Sequence, residues 1–95
     1  MTEIAPTGFS DNAQQQRFEL AEDGLTAFAE YTRRGNQVVI RHVEAPPPLR
    51  GKGTAGRLML AVAERARSER QTIVPLCSYA RAWLRRHPDY SDVSG

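Results

Sequence analysis

Cysteine, lysine and tryptophan each occur once in these 95 residues, as Cys77, Lys52 and Trp83. A single cysteine rules out an intramolecular disulfide and suits a reducing compartment, so the expected location is cytoplasmic. No apolar run approaches the roughly 18 residues that would signal a membrane span. The polar N-terminus also lacks the basic and apolar regions of a secretory leader, so no membrane partner is expected. Aromatic residues make up 7% of the chain and the net charge is only +2. Without a cluster of aromatics for base stacking or a marked basic excess, nucleic acid is not expected as a partner. A chain this short forms one small domain and buries only about two-thirds of the surface its unfolded form exposes.

The densest chemical signal lies between Pro46 and Arg70. A strand-like run ends at Pro46, Pro47 and Pro48, and Arg50-Gly51-Lys52-Gly53-Thr54-Ala55-Gly56 then opens directly into a patterned helix. Unsatisfied N–H groups at a helix start, glycines that admit a ligand to the main chain, and two nearby cations describe a seat for phosphate. A P-loop is excluded, because Gly51-Lys52 is followed by Gly53 and no glycine stands five positions before Gly51. The glycines do fall in G-x-G-x-x-G spacing. A dinucleotide fold would also need an acid at the end of the next strand, and that strand ends near Leu76 with none.

Residues 1–14 mix Pro, Gly, Ser, Asn and Gln without periodicity and read as a loose tail or a leader to the first strand, before a single domain over 15–95. Strands are predicted over 17–21, 25–32 and 37–44, the first two joined at Asp23-Gly24 and the next turn at Arg33-Arg34-Gly35-Asn36. From Ala55 the period changes: Ala55, Leu58, Met59, Val62, Ala63 and Ala66 fall on one face of a helix predicted to reach about Arg70. Arg57, Glu64, Arg65, Arg67 and Glu69 form its solvated side, with Arg65 and Glu69 placed to pair. A short buried strand over 72–76 and a helix over 78–86, stopped by His87-Pro88, complete the order β-β-β-α-β-α. The fold class is therefore α/β (α+β): three antiparallel strands, then helix, parallel strand and helix. The crossover makes the third and fourth strands parallel, so the glycine loop and Cys77 share one rim.

The segments His42-Val43-Glu44-Ala45-Pro46, Arg50-Gly51-Lys52-Gly53-Thr54-Ala55, Pro75-Leu76-Cys77-Ser78-Tyr79 and Arg86-His87-Pro88-Asp89-Tyr90 together resemble the small single-domain branch of the GNAT-type N-acetyltransferase superfamily. The resemblance covers roughly residues 17–92, with Arg50, Gly53 and Ala55 filling the superfamily's acetyl-CoA loop. It implies acetyl transfer from acetyl-CoA to an amine, without a metal. The CoA-binding positions would be Glu44, Ala45, Arg50, Gly51, Lys52, Gly53, Thr54, Ala55, Gly56 and Cys77. The diphosphate would lie on the N–H groups of 50–56, and the pantetheine would run between the third and fourth strands. Pro46, Pro47 and Pro48, which lack ladder donors, are expected to be where pairing lapses.

Each candidate carries a bland alternative. Arg50 and Lys52 are phosphate partners or merely solvated cations. Cys77 is an acetyl acceptor in a two-step transfer, activated at the start of the second helix, or a small apolar residue lining the channel. His42 and Glu44 fall on one strand face and are a base for the amine, or a histidine bonded to its neighbour. The superfamily's usual acid, a tyrosine in the last helix, is matched here by Trp83, which cannot release a proton in that role. Tyr79, one turn earlier, is the candidate substitute; the alternatives are a thiolate that leaves unassisted, or Trp83 as the packing face of a short helix. The acceptor amine is unidentified, a peptide or protein among the options, and the oligomeric state is not written in the sequence. The rival reading is a non-catalytic acyl-CoA-binding module or a partner subunit.

Overall fold

Apolar side chains at every second position, as in Phe18 and Leu20 or Ala27, Ala29 and Tyr31, direct one face of a sheet inward. The computed structural model describes residues 8–95. Strands β1 (Phe9–Asn12), β2 (Arg17–Glu22), β3 (Leu25–Arg34) and β4 (Gln37–Glu44) pair antiparallel in sequence order. Helix α1 (Thr54–Ser68) crosses over to β5 (Thr72–Pro75), which pairs parallel with β4, and helix α2 (Ser78–Arg86) follows. Short 3-10 turns occupy Ala13–Gln15, Pro47–Leu49 and Pro88–Val93.

The predicted apolar stripe of α1 is the face that packs on the sheet. Leu58, Met59, Val62, Ala63 and Ala66 are buried against Phe18, Leu20, Tyr31, Val38 and Ile40. Each large apolar side chain so covered contributes about 1.5–3 kcal/mol. Ala80, Trp83 and Leu84 of α2 join the same core, so both helices lie over one part of it.

Several expectations need correction. Part of the supposed tail is a strand: β1 forms an edge, Phe9 pairing with Leu20 and Asn12 with Arg17. It is anchored by Asp11, which accepts from the Tyr31 hydroxyl at 2.5 Å and from Arg33 at 2.6 Å. Residues 1–7 of that segment lie outside the described residues.

The charged side of α1 is not simply solvated. Arg57 binds Glu22, Arg67 binds Asp92 at 2.8 Å, and Glu64 accepts from the Tyr90 hydroxyl. Arg65 lies over the Phe9 ring at 5.4 Å instead of pairing with Glu69. The helix also stops at Ser68, where the positive φ of Arg70 (56°) turns the chain toward β5.

The lapse in β4–β5 pairing precedes the proline run. The parallel register ends at Ile40 opposite Pro75, with one further bond from the Leu76 N–H to the Ile40 carbonyl at 2.9 Å. On the other side of β4, Glu30 pairs with His42 but Tyr31 with Ile40, so Arg41 is an extra residue that bends the strand. Pro47 and Pro48 instead begin a 3-10 turn whose Leu49 is buried. Finally, Leu76 is not part of a buried strand; it is 57% exposed at the end of the pairing.

Candidate functional site

The 3-10 turn at Pro47–Leu49 plugs Leu49 into the core and delivers the chain to the glycine loop. Gly51 and Gly53 then take left-handed backbone angles, φ 80° and 82°, that side-chain-bearing residues adopt at a cost. A Cβ on Gly53 would also meet an Arg57 guanidinium nitrogen at 3.1 Å. The first helical hydrogen bond of α1 runs from the Arg57 N–H to the Gly53 carbonyl at 3.0 Å. Among the described residues, the N–H groups of Gly51, Gly53, Thr54, Ala55 and Gly56 donate to no protein acceptor, and α1 has neither a side-chain cap nor an acid in its first turn. A set of free donors at the positive end of a helix dipole is what an anion binds.

Two cavities meet at this loop, sharing Gly53, Gly56 and Tyr79. The first, about 440 Å³, runs from the loop to Val43 and Ala45 on β4, with Leu49 in its wall. The second, about 500 Å³, runs along α1 and α2 to Arg86, His87 and Tyr90. Tyr79 is half-buried between them, its hydroxyl 3.7 Å from where a Cβ on Gly56 would stand.

A family profile described as GCN5-related N-acetyl-transferase matches residues 17–93. The chain belongs to that family. Its fold is similar to the NMR solution structure of a GCN5-like protein from Staphylococcus aureus, at a TM-score of 0.73 and 26% identity, over 100% of this chain and 91% of that one.

The predicted residues do not all come together. Ala45, Arg50, Gly51, Gly53, Thr54, Ala55, Gly56 and Tyr79 all line the first cavity. Arg50 directs its Nε–H to the Ala45 carbonyl at 2.9 Å, tying the loop to the end of β4. Lys52 is not in the cavity wall; its ammonium lies 3.7 Å from Asp23, both side chains well exposed.

His42 and Glu44 form a pair, Nε2 to Oε1 at 2.9 Å. Val43 and Ala45 line the helix-side cavity, so strand alternation turns this pair to the opposite sheet face, beside Phe28 with ring centroids 6.3 Å apart. Cys77 is half-buried at the end of the β4–β5 pairing, and its sulfur caps α2 by accepting the Ala80 N–H at 3.4 Å. Exposed Leu76 precedes it, held by Arg81 donating to the Leu76 carbonyl at 2.9 Å. Trp83 is a packing residue, 3% exposed and stacked on His87 at 3.9 Å.

The sequence reading missed what holds the loop from behind. Glu22, at the end of β2, accepts from the Thr54 hydroxyl at 2.6 Å and from two Arg57 nitrogens at 2.7 and 2.8 Å. Arg57 in turn donates to the Lys52 carbonyl at 3.0 Å. The Arg57 guanidinium, and secondarily the Thr54 hydroxyl, pull the Glu22 carboxyl down to about 2. An available signal was charge: the acidic turn Glu22-Asp23 complements Lys52 and Arg57 in a fold that brings hairpin and loop together.

Proposed function

We propose that this chain is an acetyl-CoA-dependent N-acetyltransferase that transfers the acetyl group directly to an amine. The observation that carries the reading is the run of free N–H donors from Gly51 to Gly56 at the mouth of the cavity leading to β4. The residues fit the cosubstrate: main-chain donors and left-handed glycines suit a diphosphate, and a channel walled by Val43, Ala45 and Leu49 suits an apolar-bodied pantetheine arm.

Acetyl-CoA supplies an activated thioester carbonyl. The amine nitrogen forms a bond to that carbon, the carbon–sulfur bond breaks, and the sulfur leaves with its electron pair. Glu44 and His42, hydrogen-bonded to each other on the open sheet face, take the proton from the incoming amine. The bend at Arg41 and the end of pairing at Ile40 bring that face and the channel to a common gap. Tyr79, beside the loop, orients the phosphate end of the cosubstrate; the departing sulfur takes its proton from water. A peptide or polypeptide amine crossing the exposed face suits so shallow an acceptor side.

Calorimetric titration with CoA tests the reading in wild type and Gly53→Ala. The substitution strains the loop at φ 82°, so CoA affinity is expected to fall about tenfold, in line with roughly 1–2 kcal/mol of left-handed strain. Absence of heat with CoA and acetyl-CoA in the wild type would overturn the assignment.

A further inference from the structure

On the sheet face that carries neither helix, one carboxylate is left without a protein partner. The strand registers place Arg17, Glu30 and His42 in one row across β2, β3 and β4, and Glu19, Phe28 and Glu44 in the next. Arg17 stands opposite Glu30, yet it binds Glu19 at 2.7 Å and lies over the Phe28 ring at 4.6 Å. His42, opposite Glu30 on the other side, turns its Nε2 to Glu44 at 2.9 Å. Arg41, the extra residue of the bend, donates to the Tyr31 carbonyl at 3.2 Å. Among the described residues Glu30 thus has neither an ion pair nor a side-chain hydrogen bond. Its side chain is half-buried, and its oxygens still reach solvent, since no sealed side-chain oxygen lacks a partner.

Position gives this free carboxylate a use. The Glu30–His42 pair is the last before the bulge, so Glu30 lies one strand in from the gap between β4 and β5 and beside the His42–Glu44 pair. A half-desolvated carboxylate between two basic side chains that are both engaged elsewhere is a ready acceptor for an incoming cation. Phe28 already takes a guanidinium on its ring, so the surface between these groups suits positive charge.

Resting on the acetyl-CoA reading above, we propose that the acceptor is a basic peptide in extended form, with its reacting lysine at Glu44 and His42 and a second lysine or arginine, two residues away, on Glu30. Side chains two positions apart on an extended chain stand on one side, about 6.5–7 Å from each other. The diagonal from Glu44 on β4 to Glu30 on β3 spans about 7–8 Å, so one peptide reaches both. The two carboxylates differ in task. Glu44 takes a proton from the nitrogen that is acetylated, whereas Glu30 holds a cation that keeps its proton and does not react. Glu30 is a specificity residue: it reads the neighbour of the reacting lysine.

Two end-capped peptides of identical composition test this, Arg-Ser-Lys-Ser-Arg and Ser-Arg-Lys-Arg-Ser, with wild type, Glu30→Gln and Glu69→Gln. Only the first peptide puts its arginines on the same side as the lysine. Glu30 makes no side-chain bond for the substitution to break, and exposed Glu69, at the end of α1, is the control for net charge. Wild type is expected to acetylate the first peptide with a roughly tenfold lower KM, the worth of one charge-assisted contact. Glu30→Gln should erase that preference, and Glu69→Gln should keep it. Equal KM for the two peptides in wild type, or a preference that survives in Glu30→Gln, would overturn the proposal while acetylation itself stands. A free diaminoalkane acetylated better than either peptide would also overturn it, in favour of a small polyamine. Binding of the same peptides to the CoA-loaded protein is read separately by fluorescence anisotropy. Selective binding without turnover would keep the Glu30 contact and remove the transferase reading, and selectivity in neither measurement would overturn the proposal.

Discussion

Glu22 shows how one side chain couples stability to the site. It joins the β2–β3 turn to Thr54 and Arg57 at the start of α1, so the carboxylate braces the loop without facing the cavity. Its pKa falls from an ordinary 4.5 to about 2, chiefly through the Arg57 hydrogen bonds. A depressed folded pKa means that ionised Glu22 stabilises the fold above the unfolded value. That contribution is lost as pH falls from about 4.5 toward 2. Melting temperature followed over this range should drop more steeply in wild type than in Glu22→Gln, the two curves converging near the acid end. A constant offset between them at every pH would show that Glu22 acts by packing and not by charge. Glu19 and Asp92, also lowered by arginine partners, act in the same direction and set the slope left in the variant.

At the scale of elements, helix α2 begins on Cys77, and this gives the thiol a structural duty. Its sulfur accepts the Ala80 N–H in the position that Ser or Asp commonly fills. Cys77→Ala should therefore cost about 0.5–1 kcal/mol in a denaturant titration, and Cys77→Ser should recover most of it. Direct transfer predicts that Cys77→Ser keeps acetylation within a few-fold of wild type. A collapse of turnover, with an acetyl adduct on Cys77 detected by intact mass, would replace direct attack with a relay through sulfur.

Elements with a strong period were legible from the chain: α1, α2 and β2 to β4 stand where alternation or the helical repeat put them. Strand β1 was not, because Ser10, Asp11 and Asn12 have no apolar alternation and the strand is held by Asp11 contacts to Tyr31 and Arg33, more than 19 residues away. The glycine loop's left-handed turns and free N–H groups were legible because they follow from local residue types. The gap beyond Ile40 was misattributed to the prolines, since a bulge at Arg41 depends on how two strands register and leaves no composition signal. For the same reason the His42–Glu44 pairing could be read from spacing, but the Glu22 brace could not.

Across the whole molecule, the sheet separates two approaches to one gap. The loop and both cavities lie on the helix side, where Val43 and Ala45 point; His42 and Glu44 face the opposite side, which carries neither helix. The parallel register ends at Ile40, so on the proposed reading a thioester brought along the channel and an amine laid on the open face would meet there without sharing a surface. Neither has to leave before the other arrives. Initial rates measured over a grid of acetyl-CoA and amine concentrations should then give intersecting double-reciprocal lines, the pattern of a complex holding both substrates. Glu44→Gln should lower kcat by roughly 10²–10⁴ with little change in the affinity for CoA, because the lost group moves a proton and does not touch the nucleotide. Parallel lines would mean that the acetyl group is parked on the protein between two half-reactions, and Cys77, at the end of the pairing beside exposed Leu76, would be where it rests.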